Sequence, residues 1–335
     1  MIRSGVLFRV WMAAVTAMLA LSCNVFEVPE TDGNEPFVLK LDFETDFTLW
    51  NYTYNGSMIE KGIQTGAAGT VGSGLMHYVV RACPKVNGTA QHQTYEEFEF
   101  VRDAASGYDC EFMLNLTPGE YEVLVWSELS PTDSGEYLYD ASDFGKITLA
   151  EGPHAANTDY RDAFRGKADI LVRSYMRRHA TDRSVVKMER PLAKYEFVMT
   201  DLPKFLSKNG GTAEDYESVV YYTDEAHMST AYSIYTDKPV ESVTGVRYVS
   251  AIRSLDASEA SLGFDYMFVN GTQGLVTLKV EIRRKADGEV VSRTNTVRVP
   301  LLRGRCTVIR GSFISTSSGG VGVDPGFEDD INYEI

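Results

Sequence analysis

The sequence predicts an all-β protein, with two β-sandwich domains in tandem and one or two short helices. Short segments rich in β-branched and aromatic residues recur along the chain, each bounded by Gly, Pro, Asn or Asp. Helical periodicity is brief and confined to residues 158–165 and 201–206. The length of 335 residues fits two domains of ~100–200 residues each. A hydrophobic content of 44% is sufficient for two cores and excludes a disordered stalk.

The first 22 residues have the features of a secretory signal peptide. Arg3 and Arg9 come before an apolar run at residues 10–21, which is shorter than the ~20 residues that a membrane-spanning helix needs. Cys23 follows this run directly, as in bacterial lipoproteins, which are cleaved before a cysteine that is then acylated. We therefore predict a signal peptide at 1–22 and lipid attachment, including palmitate, at Cys23. Because Ala20 and Leu21 depart from the usual order of a lipoprotein signal, an ordinary signal peptide or an uncleaved anchor is the alternative.

The next segments lead into the first domain, predicted at residues 37–190. Residues 23–36 are polar and acidic, with two prolines, and are predicted to form a tether between the membrane and the folded part. Residues 37–43 then alternate, which predicts a half-buried strand with one apolar face made of Leu39, Leu41 and Phe43. Residues 55–74 are rich in glycine and are predicted to form a long exposed loop.

The second domain is predicted to begin after Arg190 and to include residues 191–335. Short apolar segments with turn signals between them continue to residue 315, which is typical of a second sandwich. The last predicted strand, at 327–335, places Ile331, Tyr333 and Ile335 on one face.

Charge and motif content exclude several classes of function. The formal charge is −15, and it becomes −17 once the two arginines of the signal peptide are removed, so phosphate backbones are repelled and no nucleic-acid partner is expected. The five histidines are scattered, and no nucleophile elbow, phosphate loop or metal-ligand spacing is present. We therefore predict no enzyme activity, no cofactor and no metal site.

Three cysteines follow Cys23. Cys83 comes after a predicted strand and Cys110 comes before one, so the two could face each other within one sandwich and form a disulfide; the sequence leaves open whether they are bonded or free. Cys306 lies at an apolar position of a late strand, where a buried free thiol is expected.

Paired aromatic residues raise a second possible function. Sugars stack on the faces of Trp and Tyr rings, and such residues occur as three sets in the sequence: Trp50, Tyr52 and Tyr54; Tyr137 and Tyr139; Tyr221 and Tyr222. In β-rich domains these rings more often belong to the core or to cross-strand pairs. A surface glycan-binding lipoprotein is therefore kept as the alternative function.

Several motifs, in their order along the chain, resemble the fimbrillin-like outer-membrane lipoproteins of Bacteroidota. In that family a strand ending in V-x-W precedes a D-A-F turn and an R-P-x-A strand. The matching segments here are GEYEVLVW at 119–126, Tyr137 and Tyr139, NTDYRDAF at 157–164, ERPLAK at 189–194, VPLLRGRCTVIRG at 299–311 and FEDDIN at 327–332.

The resemblance implies two transthyretin-like sandwiches, lipid anchoring in the cell outer membrane with surface exposure, and a role in fimbriae or cell adhesion. It also implies partners, either other fimbrial subunits or ligands on host or bacterial surfaces. Subunits of this family join by β-strand addition, in which a groove of one subunit accepts a strand from another. On this chain the candidate donor strand carries Ile331, Tyr333 and Ile335. The candidate acceptor is a groove beside the first strand, at Leu39, Leu41 and Phe43.

One departure from the family pattern affects the role. Shaft subunits are activated by a protease that cuts after a basic residue near the first strand. Between Cys23 and Arg81 this chain has no arginine and only two lysines, Lys40 and Lys61. An anchor, an accessory or tip subunit, or a lone adhesin is therefore predicted rather than a shaft polymer.

Overall fold

The strands of this protein form four sheets in the computed structural model, which describes residues 33–45, 47–54, 59–67, 74–130, 137–174, 181–223 and 226–313, with 59–67 described by backbone only. The prediction of a mainly β fold is confirmed. In the described ranges helical structure is limited to one α-helix, α1 at Leu202–Asn209, and to single 3-10 turns such as Asp159–Arg161.

The first sheet has eight strands in the order β5-β4-β8-β11-β12-β1-β7, with β6 also paired to β4. Its strands are β1 Glu35–Phe43, β4 Leu75–Val86, β5 Thr89–Ala90, β6 Glu96–Asp103, β7 Cys110–Leu116, β8 Gly119–Ser130, β11 Ala163–Val172 and β12 Asp182–Glu189. The sheet encloses an apolar cluster, the first core, to which all of these strands except β5 contribute side chains.

A six-stranded and a five-stranded sheet make the second sandwich. The six-stranded sheet has the order β18-β19-β13-β23-β2-β3, and its strands are β2 Thr48–Tyr54, β3 Ile59–Ala67, β13 Leu192–Met199, β18 Arg253–Ser254, β19 Ala260–Phe268 and β23 Cys306–Gly311. The five-stranded sheet contains β14 Tyr216–Tyr222, β17 Arg247–Ala251, β20 Gln273–Arg284, β21 Val290–Arg293 and β22 Val297–Leu302. The second core lies between these two sheets.

A small four-stranded sheet joins the two halves of the chain. Its order is β16-β15-β10-β9, and its strands are β9 Tyr139–Asp140, β10 Ile147–Leu149, β15 Met228–Ser233 and β16 Lys238–Val243. A third core forms where this sheet, the six-stranded sheet and the outer face of β4 and β8 meet; Trp126, Phe144 and Tyr232 are fully buried there.

The order of strands in the sheets differs from the predicted division at residue 190. The chain does pass from the first sheet to the second sandwich between β12 and β13. However, β2 and β3 precede most of the first sheet in sequence, and yet β2 pairs with β23 and β3 pairs with β2 in the six-stranded sheet. Likewise β10 pairs with β15. Two segments assigned by sequence to the first domain therefore lie in sheets with strands of the second.

Three local predictions need correction. The predicted tether at 23–36 ends earlier, because Glu35 and Pro36 already pair with β7. Residues 59–67 of the predicted loop form β3, whose backbone pairs with β2 along one edge. The helix expected at 158–165 is limited to one 3-10 turn capped by Thr158, because the chain then enters β11. The helix predicted at 201–206 is confirmed as α1.

Candidate functional site

The first strand, β1, lies where the acceptor groove is predicted. Leu39 and Leu41 have no exposed surface and Phe43 is 8% exposed, so their shared face packs into the first core. Both edges of β1 are occupied, because β7 pairs antiparallel on one side and β12 pairs parallel on the other. Within the described residues, neither edge of β1 is open to another subunit. The acceptor assignment stays a prediction, and it requires β1 to leave its place.

The burial of β1 opposes such a departure. Four side chains, those of Phe37, Leu39, Leu41 and Phe43, are buried. At ~1.5–3 kcal/mol for each buried side chain, their burial contributes on the order of 6–12 kcal/mol, which is an upper bound because unfolded chains already bury some surface. Seven residue pairs with β7 and seven with β12 add main-chain hydrogen bonds. Removal of β1 would therefore destabilise the first sheet strongly.

The two lysines near the first strand lie in sheet ladders. Lys40 is exposed on the outer face of β1, but its backbone pairs with Glu111 on one side and Val185 on the other. Lys61 lies in β3 and pairs with Tyr52. A protease needs an accessible extended backbone, so local unfolding must precede cleavage at either residue.

An arginine contacts residues that lie between β1 and β2. Arg190, which is 6% exposed, binds Asp162 with two hydrogen bonds of 2.7 and 2.9 Å. Its guanidinium also donates to the Glu44 carbonyl oxygen and lies 4.5 Å from the ring centre of Phe47. Arg190 thus contacts both Glu44 and Phe47, which lie between the first two strands, while it is bound to Asp162.

One contact between the N-terminal and C-terminal halves of the chain is the Asp237 cluster, which comprises Asp237, Arg165, Arg303 and Tyr232. Asp237 lies in the turn between β15 and β16 with a left-handed φ of +57°. Its carboxylate accepts hydrogen bonds from Arg165 of β11 at 2.8 and 2.9 Å, from Arg303 at 2.6 and 3.1 Å, and from the Tyr232 hydroxyl. Burial alone would raise the pKa of Asp237, but hydrogen bonds from Arg303, Tyr232 and Arg165 lower it to about 2.

Another contact between the two halves of the chain is the Asp265 cluster, which comprises Asp265, Arg161, His154, Tyr222 and Tyr195. The Asp265 carboxylate has no exposed surface and lies 3.0 Å from an Arg161 nitrogen and 2.6 Å from His154 Nε2. Tyr222 donates to it at 2.5 Å, and Tyr195 donates to Tyr222. Burial and the neighbouring carboxylate hold the pKa of Tyr222 well above its usual value, so this hydroxyl remains a donor.

A cavity of about 220 Å³ opens beside β4, β6 and β9. His77 stacks on Tyr137 with ring centres 3.6 Å apart, and its Nε2 lies 2.7 Å from Glu99 Oε1. Arg81 binds Glu97 at 2.7 Å. Of its lining residues the sequence singles out only Tyr137 and Tyr139, because the others lie on separate strands and in a turn. Its lining residues are His77, Val79, Arg81, Glu97, Glu99, Tyr137, Tyr139, Asp140, Ala141 and Ser142.

The aromatic sets considered for glycan binding are largely in the cores. Tyr52 and Tyr54 are 2% and 3% exposed and belong to the second core. Tyr139 packs against Trp126 in the third core, with ring centres 5.3 Å apart. Tyr222 belongs to the Asp265 cluster. Tyr52, Tyr54, Tyr139 and Tyr222 therefore fill buried positions, whereas Trp50, Tyr137 and Tyr221 are half-buried.

Cys83 and Cys110, which the sequence left open as a possible disulfide, are both free thiols in the structure. Cys83 belongs to the third core, and Cys110 belongs to the first core on the opposite face of the sheet. Cys306 is a buried free thiol. Burial raises the pKa of Cys83 to about 11 and that of Cys306 to about 12, so both stay protonated and unreactive.

Two groups of predicted site residues lie outside the described residues: the lipid-attachment site Cys23, with its signal peptide, and the candidate donor residues Ile331, Tyr333 and Ile335. No helix in the part of the chain that the structure describes is both long and apolar enough to span a membrane. The described ranges also contain no group of three His, Cys, Asp or Glu residues arranged to hold a metal ion.

Comparison with known protein families gives a match for most of the chain. The model of a family of unknown function, DUF6562, matches residues 64–335. Since the match extends over most of the sequence, the chain belongs to this family. A comparison with curated proteins gives no match.

Solved structures with a similar arrangement come from Bacteroides and Porphyromonas. A candidate adhesin from Bacteroides ovatus is 11% identical with a TM-score of 0.44, and the alignment covers 78% of each chain. The fimbrial anchor protein Mfa2 from Porphyromonas gingivalis is 14% identical with a TM-score of 0.39, covering 77% of this chain and 82% of that one. A candidate cell adhesion protein from Bacteroides eggerthii is 12% identical with a TM-score of 0.42, covering 85% and 90%.

Proposed function

We propose that this chain is a lipid-anchored, non-enzymatic subunit of a surface fimbria, acting as an anchor, an accessory or tip subunit, or a lone adhesin. The observation that carries the proposal is the double pairing of β1, whose edges are both occupied by strands of the same chain. The motif order shared with fimbrillin-like lipoproteins supports the fimbrial class. The buried face of β1 supports a subunit that keeps its first strand.

The distribution of basic residues supports the same role. A shaft subunit must lose its first strand to open an acceptor groove, whereas this chain lacks arginine between Cys23 and Arg81. Lys40 and Lys61 lie within paired strands. Because cleavage is opposed at both lysines, the chain would stay joined to Cys23 and to its lipid.

The proposed partners are other fimbrial subunits, joined by strand addition. In this proposal the last residues of the chain act as a donor strand, with Ile331, Tyr333 and Ile335 filling alternate pockets of a neighbouring subunit. Main-chain hydrogen bonds would provide affinity, and the alternate side chains would provide register. The β1 position would serve as an acceptor only in a subunit from which β1 had been displaced.

The proposed location is the outer membrane, with the folded part at the cell surface. Acylation of Cys23 would provide the attachment, and more than one acyl chain is needed for stable anchoring. The acidic segment after Cys23 would act as a short spacer before Glu35.

The test uses cells that express the fimbriae, with three variants compared with the unmodified chain. We expect Cys23→Ala to abolish lipid labelling and to release the chain from the membrane, while Cys306→Ala, at a buried free thiol, leaves labelling intact. Deletion of residues 321–335 is expected to reduce co-isolation with other fimbrial subunits. Each variant is measured by lipid labelling, membrane fractionation and affinity isolation.

Two results would count against the proposal. If fimbriae keep their number, length and attachment when the whole chain is deleted, it has no role in their assembly or anchoring. If the truncated chain folds normally and still isolates the same subunits, the donor assignment is wrong.

A further inference from the structure

Within the described residues, no strand pairs with the outer edge of β7. The first sheet ends at this strand, and its inner edge pairs with β1 along seven residue pairs. Among the described residues, no backbone group of Cys110–Leu116 has a hydrogen bond beyond that ladder. A row of free N–H and C=O groups of this kind is a template for another strand.

Three other edge strands, β6, β16 and β17, carry features that oppose such pairing, and β7 lacks them. Charged residues occupy five of the eight positions of β6, and β16 begins with Lys238 and Pro239. In β17 the Val249 carbonyl accepts a hydrogen bond from Asn157. β7 has one charged residue, Glu111, and neither lysine nor proline. Its edge is therefore the least protected of those compared.

The sequence of β7 is complementary to itself. Met113 lies at the centre of the seven residues and is 62% exposed. An antiparallel pair with a two-fold axis at Met113 places Glu111 opposite the partner's Asn115, and Asn115 opposite the partner's Glu111. The two methionines then cover each other, and no like charges face across the junction.

Local charge allows two copies to approach on this side. The whole chain has a formal charge of −15, which opposes self-association elsewhere. On the outer face formed by β12, β1 and β7, three basic side chains, Lys40, Arg183 and Lys187, are balanced by three acidic ones, Asp42, Glu111 and Glu189. This face therefore carries no net charge that would repel a second copy.

We propose that two copies of this chain pair antiparallel through the outer edges of β7, with Met113 on the two-fold axis. The first sheets of both copies then form one continuous sheet. This pairing leaves β1 in place, so it is separate from strand addition at the β1 position and does not depend on the fimbrial role.

Cross-linking in intact cells tests the register. A short bismaleimide should join two copies of a Met113→Cys variant, because directly opposed side chains lie within about 6 Å. Val249→Cys is the matched control, since Val249 is 56% exposed on another sheet. A cross-linked dimer with Met113→Cys alone is expected. Equal cross-linking of both variants, or of neither, would overturn the proposal.

Two opposite charges at one position test the pairing itself. In the dimer of Asn115→Glu, the new glutamate of each copy faces Glu111 of the other copy. These two like-charged pairs should raise the dissociation constant roughly two- to thirtyfold. Asn115→Lys creates two ion pairs, and the dissociation constant should fall. Both are measured by analytical ultracentrifugation of the lipidated chain in detergent. A purely structural role of Asn115 would leave both values unchanged.

The same experiment distinguishes other partners. Leu171→Lys, at a residue 46% exposed on the same sheet but away from its edge, should leave the dissociation constant unchanged, whereas Met113→Lys should raise it. Self-pairing is refuted if the unmodified chain is monomeric at every concentration measured, or if Met113→Cys cross-links only to a different protein.

Discussion

β1 and the Asp265 cluster are both buried, yet different interactions hold them. The β1 face contributes only apolar side chains to the first core, whereas the Asp265 cluster combines two oppositely charged groups with tyrosine hydroxyls. An apolar set loses stability in proportion to the surface removed. Removing one member of a buried ion pair costs much more stability, because the remaining charge stays buried without a partner. The first half of the molecule should therefore tolerate single changes at β1 better than the junction tolerates changes at Asp265.

The largest effect is expected from Asp265→Ala. Arg161 is 2% exposed, and this variant removes its carboxylate partner, so the free energy of unfolding should fall by ~3–5 kcal/mol. Tyr222→Phe, which removes one hydrogen bond to the same carboxylate, should cost ~1.5–3 kcal/mol. Urea denaturation measures both. A loss with Asp265→Ala no greater than that with Tyr222→Phe would show that the cluster is not held by its charges.

Leu39→Ala should have the next largest effect. Leu39 has no exposed surface, and the truncation leaves a cavity in the first core, so a loss of ~2–5 kcal/mol is expected. Val38→Ala, on the half-buried outer face of the same strand, is the matched control and should cost less than ~1 kcal/mol. Similar losses for the two variants would contradict the burial pattern of β1.

Acid should weaken the contact at Asp237. Its pKa is lowered from 3.8 to about 2 in the folded protein, so its contribution is complete above pH 3.8 and disappears as the pH falls towards 2. The side chain is 45% exposed, and solvent screening reduces the contribution to about 1 kcal/mol. The difference in unfolding free energy between the unmodified chain and Asp237→Asn, followed from pH 5 to pH 2, measures it. A difference that grows as the pH falls would have the wrong sign.

The smallest effect is expected at an exposed pair. Arg173 and Asp182 lie 2.9 Å apart, but the arginine side chain is 53% exposed. Arg173→Ala should therefore change the unfolding free energy by less than ~1 kcal/mol, and the change should shrink further in high salt. Thermal melting in low and high salt measures this, and a salt-independent loss would indicate a packing role for Arg173.

Local pattern was enough to predict several elements. The alternation of Leu39, Leu41 and Phe43 gave the correct face of β1, and the helix expected at 201–206 is present as α1. The cap at Thr158 is also of a residue type that favours this position, since its side chain accepts a hydrogen bond from the Tyr160 N–H. These features depend on neighbours within a few residues.

Features set by distant contacts were not predictable. β3 is a strand because one of its edges pairs with β2, and nothing in its glycine-rich sequence indicates this partner. Cys83 lies on β4, which is buried on both faces over most of its length, so no alternation shows which core the thiol enters. The arginine and histidine partners of Asp237 and Asp265 lie 66 to 111 positions away in the sequence, and no spacing rule connects them.

The pairing of β1 also determines how the protein would respond to a pull on its N-terminal side. β1 lies between two long neighbours, β7 and β12, along nearly its whole length. A force applied ahead of Glu35 along the strand axis would strain all of those hydrogen bonds together in shear, and would not open them one at a time. Just beyond β1, Arg190 donates to the Glu44 carbonyl oxygen, and β2 continues beside β23 in another sheet. The second sandwich would therefore take up load from this end only after β1 had begun to slide.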